Sequence, residues 1–211
     1  MKALLYLIFP AVLLAGYGKS WDQQYEEWIK NPEPYGGLKV LEKIKKVKDS
    51  GAKEIILKYS NISDISPLAG LTNLKELNLW ANKISDLTPL AGFTNLRNLE
   101  LVDNKISDLT PLVGLTNLKI LHLSKNNISD LTPLAGLINL EVLSSRNNNI
   151  SDISPLAGLT NLKMLRLNNI SDLSPLAGLT NLKQLWLGST PITASQKAML
   201  KASLPNTDIS W

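Results

Sequence analysis

The chain has 211 residues, of which 44% are hydrophobic and 19% are charged, which is typical of one folded globular unit and not of a disordered chain. It contains no cysteine, which excludes disulfide bonds, a thiolate nucleophile and cysteine-ligated metal. The formal net charge of +4 is too small an excess to indicate binding to nucleic acid. Stability must therefore come from packing and from well-capped secondary structure.

Residues 1–18 have the pattern of a secretory signal peptide. A basic start at Lys2 is followed by an apolar run over residues 3–15, interrupted by Pro10, and by the small residues Gly16 and Gly18. We predict cleavage after Gly18, because small residues precede signal cleavage sites. The apolar run is too short to span a bilayer comfortably, so a permanent membrane helix is the weaker alternative. The expected location is secreted or periplasmic, or in the cell envelope.

Residues 19–48 are predicted to form an N-terminal helical cap with two helices. In the first, over residues 20–29, Ser20 and Gln23 have the spacing of a capping box. Its aromatic residues are predicted to cover the open edge of the repeat core, because large rings cover area efficiently. The alternative is that they form a ligand-binding cluster. The second helix, over residues 38–48, should end at Gly51. Its inward face should carry Leu38, Leu41 and Ile44, with Val40 and Val47 as further candidates. Its outward face should carry Lys39, Lys43 and Lys46. We interpret the lysines as a solvated face, with attraction to an anionic surface as the alternative.

Residues 49–192 carry a repeat whose unit reads LTNLKELNLWANKISDLTPLAG over residues 71–92. The same phase returns four times at intervals of 22 residues and once after 20, and a degenerate copy occupies residues 49–70, which predicts about seven coils. The skeleton LxxLxLxxNxI is the signature of a leucine-rich repeat. Alternation around Leu77 and Leu79 predicts a short strand, Asn82 a turn bonded to open backbone groups, and Pro89 the first turn of a short helical segment. Stacked coils would share one core and align their strands in parallel.

Two irregularities in the repeat should affect the array. Ser145 stands where the second strand leucine belongs, so a hydroxyl replaces an apolar side chain in the predicted core. The unit over residues 159–178 lacks two residues between Leu167 and Ile170, so its turn should be shorter and the ladder locally broken.

Residues 193–211 are predicted to form a C-terminal cap. Thr193 and Gln196 again have capping-box spacing. The apolar residues expected to face the last coil are Ala198, Met199, Leu200 and Leu204, with Ile209 and Trp211 closing it.

The repeat unit ISDLTPLAGLTNL resembles that of the internalin-type bacterial leucine-rich repeat proteins, over residues 49–193. The resemblance implies an α/β repeat solenoid, a horseshoe or arc with a parallel β-sheet on the concave face and short 3₁₀ turns on the convex face. It also implies helical capping, export from a bacterium and protein recognition on the concave face. The chain departs from the pattern in carrying glycine at the end of each unit and in having neither a sorting motif nor an immunoglobulin-like module after the array.

The sequence offers little for catalysis or metal binding. His122 is the only histidine, no GxSxG motif is present, and strand phase predicts that His122 is a surface contact residue. A column of aspartates follows each repeat isoleucine, where capping of backbone amides is the expected role, with a cation ladder as the alternative; its members are Asp86, Asp108, Asp130, Asp152 and Asp172. We therefore predict a non-catalytic protein with no cofactor and no metal.

The positions between the repeat leucines differ from coil to coil, as expected of a surface shaped for one partner, with neutral drift on an unused face as the alternative. Ile120, Val142 and Met164 are predicted to form an exposed apolar run. Tryptophan and arginine, which are enriched at interface hot spots, occur at Trp80, Trp186, Arg146 and Arg166. The predicted partner-binding residues are Glu76, Trp80, Glu100, Ile120, His122, Val142, Arg146, Met164, Arg166 and Trp186. The predicted function is that of an exported scaffold, a monomer, which binds a protein partner and not nucleic acid, and which has no permanent membrane span. A structural or adhesive component of the cell envelope, contacting protein or polysaccharide, is the alternative.

Overall fold

The computed structural model describes residues 18–188 and 190–211. The predicted signal peptide therefore lies, except for Gly18, outside the described residues. The α-helices are α1 (Trp21–Trp28), α2 (Leu38–Ser50) and α3 (Ala194–Ser203). The strands are β1 (Glu54–Ile56), β2 (Glu76–Asn78), β3 (Asn98–Glu100), β4 (Ile120–His122), β5 (Val142–Ser144), β6 (Met164–Arg166), β7 (Gln184–Trp186) and β8 (Asp208–Ser210). None of the described helices has the length and apolar character needed to cross a membrane.

The strands form one parallel sheet in sequence order, which confirms the predicted solenoid. Each strand has three residues, and in β1 to β7 the central leucine or isoleucine is buried while its two neighbours face away from the core. A residue pairs with the residue one repeat later, as Leu77 does with Leu99 and Leu99 with Leu121. Because identical positions stack, the core is a set of continuous apolar rows instead of a closed cluster within each coil.

The consensus asparagine of each regular coil is the main polar support of the array. Asn126 is only 7% exposed, and its Oδ1 accepts a hydrogen bond from the Ile106 amide of the preceding coil at 3.0 Å. Its Nδ2 donates to the carbonyls of Leu101 and Leu123, both at 2.9 Å. One side chain therefore satisfies backbone groups of two neighbouring coils, as sequence analysis anticipated for Asn82.

The opposite side of each regular coil is a single 3₁₀ turn. These turns span Ser66–Leu68, Thr88–Leu90, Thr110–Leu112, Thr132–Leu134, Ser154–Leu156 and Ser174–Leu176. Each begins with a Ser or Thr amide that donates to the aspartate two residues earlier, as Thr88 does to Asp86 Oδ1 at 2.8 Å. The hydrogen bonds from Thr132 keep the pKa of Asp130 below its usual range, which is the effect of bonding to the charged form. The aspartate column therefore caps backbone amides, as predicted.

Helices α1 and α2 close the first coil. Both elements of the Ser20 capping box are present, and α2 ends at Gly51 in the left-handed conformation. The Trp21 indole donates to the carbonyl of Pro67 at 3.0 Å, and Leu41 and Ile44 are buried. The prediction for Leu38 was wrong, since it is 49% exposed. Helical side chains lean toward the N-terminus, so a first-turn residue leans past the end of its helix.

The chain between α1 and α2 approaches the first coil so closely that one position has room for glycine alone. Gly36 has φ of 87°, and a Cβ there would lie 2.5 Å from the carbonyl oxygen of Ser60. The carbonyl of Pro34 accepts hydrogen bonds from the amides of Ser63 and Asp64 at 2.8 and 2.9 Å. The cap is thus joined to the array by backbone hydrogen bonds as well as by apolar packing.

The C-terminal cap contains an element that the sequence pattern did not predict. Its last residues form β8, which adds an eighth strand to the sheet by pairing with β7. The Thr193 capping box is present, and Leu200 and Leu204 are buried. Ile209 packs against the core, but Trp211 is 36% exposed and lies over the Lys197 ammonium group at 5.1 Å.

The two-residue deletion changes the turn of its coil and leaves the strands in register. Ser145 still donates to the carbonyl of Arg166, and the pairing of β6 with both neighbours is complete. In the regular coils the amide after the consensus asparagine donates to the isoleucine carbonyl of the preceding coil, as Asn149 does to Ile128 at 2.8 Å. Within the described part of the chain, no such bond reaches the carbonyl of Ile150. The break is therefore confined to the turn.

Hydrogen exchange should detect this break. We expect the backbone amides of Ile150 and Asn169 to exchange faster than those of Ile128 and Asn149, because Asn168 bonds the Asn147 amide instead of the Ile150 amide. Residues 165–170 as a whole should exchange faster than residues 121–126. Exchange mass spectrometry of the folded chain measures both comparisons, and equal protection would show that the shortened turn does not weaken the array.

Candidate functional site: the concave strand face

The outward-facing strand positions form two rows that run across the whole sheet. The first is Glu54, Glu76, Asn98, Ile120, Val142, Met164 and Gln184, and the second is Ile56, Asn78, Glu100, His122, Ser144, Arg166 and Trp186. Both rows are those that the alternation of side chains along each strand predicts. The structure extends them by Asp208 and Ser210 of β8.

All ten predicted partner-binding residues keep solvent contact. Glu76, Trp80 and Arg146 are exposed, and the other seven are partly buried against their neighbours. The apolar run of Ile120, Val142 and Met164 was predicted to be exposed, and it is partly covered. Ser144, which strand phase placed among the free positions, is 8% exposed, because its hydroxyl lies 2.9 Å from the Ser124 hydroxyl.

The N-terminal third of this face is an acidic hollow of about 100 Å³. Its rim carries the carboxylates of Glu54, Glu76 and Glu100, and Ile56 contributes an apolar side chain that is 42% exposed. The Oδ1 atom of Asn98 is buried at its base and has no hydrogen-bond partner among the described residues. A buried acceptor that lacks a donor costs free energy.

The centre of the face contains a pair of titratable groups. The Nδ1 atom of His122 lies 2.8 Å from both carboxylate oxygens of Glu100, which belongs to the neighbouring strand. The two side chains are 27% and 23% exposed, so each can still be reached from solvent. The pair holds His122 in a fixed orientation on an open face, as expected of a contact residue.

The C-terminal third presents two cations and an aromatic ring. The guanidinium group of Arg166 lies over the Trp186 ring at 4.3 Å, which orders a long side chain that would otherwise be mobile. The Arg146 guanidinium reaches over the shortened coil toward Gly188. Arg146 and Arg166 are therefore both available on the side of the face opposite the acidic hollow.

One exposed aromatic residue beside this face was missed by sequence analysis. Tyr59 is 63% exposed and its ring lies 5.0 Å from that of Trp80, so the two form an aromatic pair next to the acidic hollow. Tyr59 aligns with Ala81 and Asp103 in the turn, and all three have positive φ. Its signal in the sequence was a large ring at a position that other coils fill with small or polar residues.

The rest of the described chain offers little that resembles a second site. No group of three or more His, Asp or Glu side chains in residues 18–188 and 190–211 has the arrangement of a metal site. A groove of about 640 Å³ runs between α1 and the first two 3₁₀ turns, beside Trp21, Trp28 and Tyr35. Its aromatic rings are largely used in packing the cap, since Trp28 is 8% exposed.

The repeat geometry agrees with the comparisons to known proteins. The family described as Leucine Rich repeats (2 copies) matches residues 53–92, 94–136, 138–178 and 160–198. An internalin (inlF) from Listeria monocytogenes is similar, with 32% identity, a TM-score of 0.72 and 81% of this chain covered. Internalin C2 (inlC2) from the same organism has 31% identity and a TM-score of 0.64, with 88% of this chain and 96% of that one covered. This chain is a bacterial internalin-like leucine-rich repeat protein.

The internalin-like chain spans about half of the inlF structure, of which it covers 54%. None of the curated proteins compared with it matches. The leucine-rich repeat fold is a common scaffold for protein interaction.

Proposed function

We propose that this internalin-like protein is a non-catalytic, exported scaffold that binds a protein partner through its concave face. The observation that carries the proposal is the contrast between the two sides of each strand. The inward positions repeat as leucine or isoleucine in every strand, whereas the outward positions differ from coil to coil. A rigid sheet that holds different side chains in fixed rows is suited to one particular partner surface.

The charges of the face support a partner with the opposite arrangement. Carboxylates of Glu54, Glu76 and Glu100 surround the hollow at the N-terminal end, and Arg146 and Arg166 lie toward the C-terminal end. We propose that the partner inserts a lysine or arginine side chain into the hollow, between these carboxylates. An acidic patch of the partner would lie near Arg166. Such complementarity sets orientation and association rate more than affinity.

Export and monomeric state belong to the same proposal. Export is supported by the basic, apolar and small-residue pattern of residues 1–18. Once the signal peptide has been removed, the mature protein should begin at Lys19. N-terminal sequencing of protein from the medium or the periplasm would show this.

Alanine substitutions on the two faces of the solenoid test the binding surface. Once a partner has been captured, Trp80→Ala, Met164→Ala and Arg166→Ala should each weaken binding by about 1 kcal/mol or more, a rise in Kd of roughly fivefold, with little change in melting temperature. Thr94→Ala and Thr116→Ala are the matched controls, because both residues are exposed away from the strands. Normal binding by the first three variants with loss of binding by the controls would show that the partner uses the other face.

A further inference from the structure

A second surface feature lies beside the concave face, at the residue that immediately precedes each strand. Six of the seven repeat strands have a cation there, and all six side chains are exposed: Lys53, Lys75, Arg97, Lys119, Lys163 and Lys183. The seventh position is Glu141. This set is called the basic row below.

The backbone fixes the spacing of the basic row. The amide of Arg97 donates to the carbonyl of Lys75 at 2.8 Å, and the amide of Lys119 donates to the carbonyl of Arg97 at 2.8 Å. The same bonds continue through Glu141 and Lys163 to Lys183. Neighbouring members are therefore about one strand spacing apart, or roughly 4.8 Å, so the row extends over roughly 30 Å.

Glu141 interrupts the row and ties up two of its cations. Its carboxylate lies 2.6 Å from the Lys163 ammonium group and 3.0 Å from that of Lys119, and the two hydrogen bonds hold the pKa of Glu141 below its usual range. No other member of the row makes an ion pair within the described part of the chain. At least four cations are therefore not neutralised by the protein itself.

Net charge conceals this arrangement because a column of opposite sign occupies another side of the solenoid. The exposed aspartates that cap the 3₁₀ turns run parallel to the basic row, one per coil. The two sets nearly cancel in the total of +4. The field near the basic row is nevertheless positive. Salt screens exposed charges from one another beyond about 8–10 Å, so the aspartates on another side of the solenoid offset the row only weakly.

The residues around the row favour a polysaccharide over a nucleic acid. Strands β2 to β7 are each preceded by a segment that reads TNLK, TNLR or INLE, so exposed threonine or asparagine side chains flank the row in these coils. Asn95 Nδ2 donates to the carbonyl of Thr72 at 3.0 Å, which leaves its Oδ1 free to accept from a sugar hydroxyl. These segments contain no aromatic ring, whereas surfaces for single-stranded nucleic acid stack bases on aromatic side chains.

We propose that the basic row is a binding site for a linear anionic polysaccharide, which lies across the coils with its sulfate or carboxylate groups against successive cations. A straight, evenly spaced row suits a linear polymer with repeating charge, since many weak contacts add along its length. The site is separate from the concave rows, so the protein could hold a polysaccharide and a protein partner together. It does not rest on the proposed protein-binding function.

Charge-matched variants test the site with a heparin oligosaccharide as the probe. Arg97→Gln, Lys163→Gln and Lys183→Gln combined in the full chain should raise the Kd at least about tenfold and reduce its dependence on salt, because fewer ions are released on binding. Lys39→Gln, Lys46→Gln and Lys201→Gln combined remove the same charge from exposed helix positions away from the row. This control should change the Kd less than about threefold. Circular dichroism and melting confirm that both variants are folded.

A gain-of-binding variant makes the test independent of damage to the fold. Glu141→Lys completes the row and releases Lys119 and Lys163, so it should bind the oligosaccharide several-fold more tightly than the natural chain. Glu26→Lys makes the same charge change on α1, and it should have little effect. Equal losses in the two triple variants, or no gain with Glu141→Lys, would overturn the proposal. Tighter binding of a single-stranded DNA of similar length, weakened by the same row variants, would also overturn it in favour of a nucleic-acid surface.

Discussion

Replacing Asn126 by alanine is expected to lower the free energy of unfolding by about 2–4 kcal/mol, the largest loss that any single polar side chain of the array should produce. The change removes the acceptor of the Ile106 amide and the donors to the carbonyls of Leu101 and Leu123. All three backbone groups lie beside the buried leucine rows, where no solvent replaces the lost partners. The denaturant midpoint measured by circular dichroism should fall accordingly.

The neighbouring residue supplies a matched control. Asn127 has the same side chain and is exposed, and only its backbone amide takes part in the ladder, so Asn127→Ala should change stability by less than about 0.5 kcal/mol. Asn126→Asp is a sharper variant, because it keeps the shape and an acceptor and removes both donors. A similar midpoint for Asn126→Ala and Asn127→Ala would mean that the asparagine ladder does not hold the coils together.

Ser145→Leu is expected to stabilise the protein by about 1–3 kcal/mol and to raise the unfolding midpoint. Ser145 is 2% exposed and stands in a buried row between Leu123 and Leu167, so the structure confirms that a hydroxyl occupies a core position. Its Oγ is 3.3 Å from Asn148 Nδ2, a long bond, and Asn148 keeps its bonds to the carbonyls of Leu123 and Ser145. Added apolar contact should therefore outweigh the lost hydrogen bond.

Ser145→Ala separates the two contributions to this effect. This variant removes the hydroxyl without adding volume. Its unfolding midpoint should therefore be close to that of the natural chain and well below that of Ser145→Leu. A lower midpoint for the leucine variant alone would show that the neighbours have already closed around the serine and that leucine overpacks the site.

The repeat made most of the fold predictable from sequence. The buried leucines of the regular coils recur at fixed places in the repeat unit, and strand alternation then sets the rows of the concave face, including the pairing of Ile120, Val142 and Met164. Capping boxes at Ser20 and Thr193 gave the starts of two helices because their chemistry is local. Sequence patterns were therefore sufficient wherever the structure of a segment depends on residues in the same coil or helix.

The failures occur where tertiary context decides. Strand β8 has no repeat skeleton, and it is a strand because β7 offers it an open edge. Because β8 ends at Ser210, strand alternation no longer applies to Trp211, which lies against Lys197 instead of covering the core. Burial of Ser144 depends on a contact with Ser124 in the preceding coil, which no pattern within one strand reveals. The net charge likewise did not indicate the basic row, because a total charge does not record where the charged residues lie in the fold.

Photo-cross-linking from two positions of one coil tests the binding face most directly. Val142 faces outward on β5, and Ile138 is 57% exposed on the loop before that strand, so both sites are apolar and belong to the same rigid unit. With a photoreactive amino acid at either position and a captured partner present, cross-links should form from residue 142 and not from residue 138. Cross-linking from residue 138 with none from residue 142, in variants that melt like the natural chain, would contradict binding on the concave face.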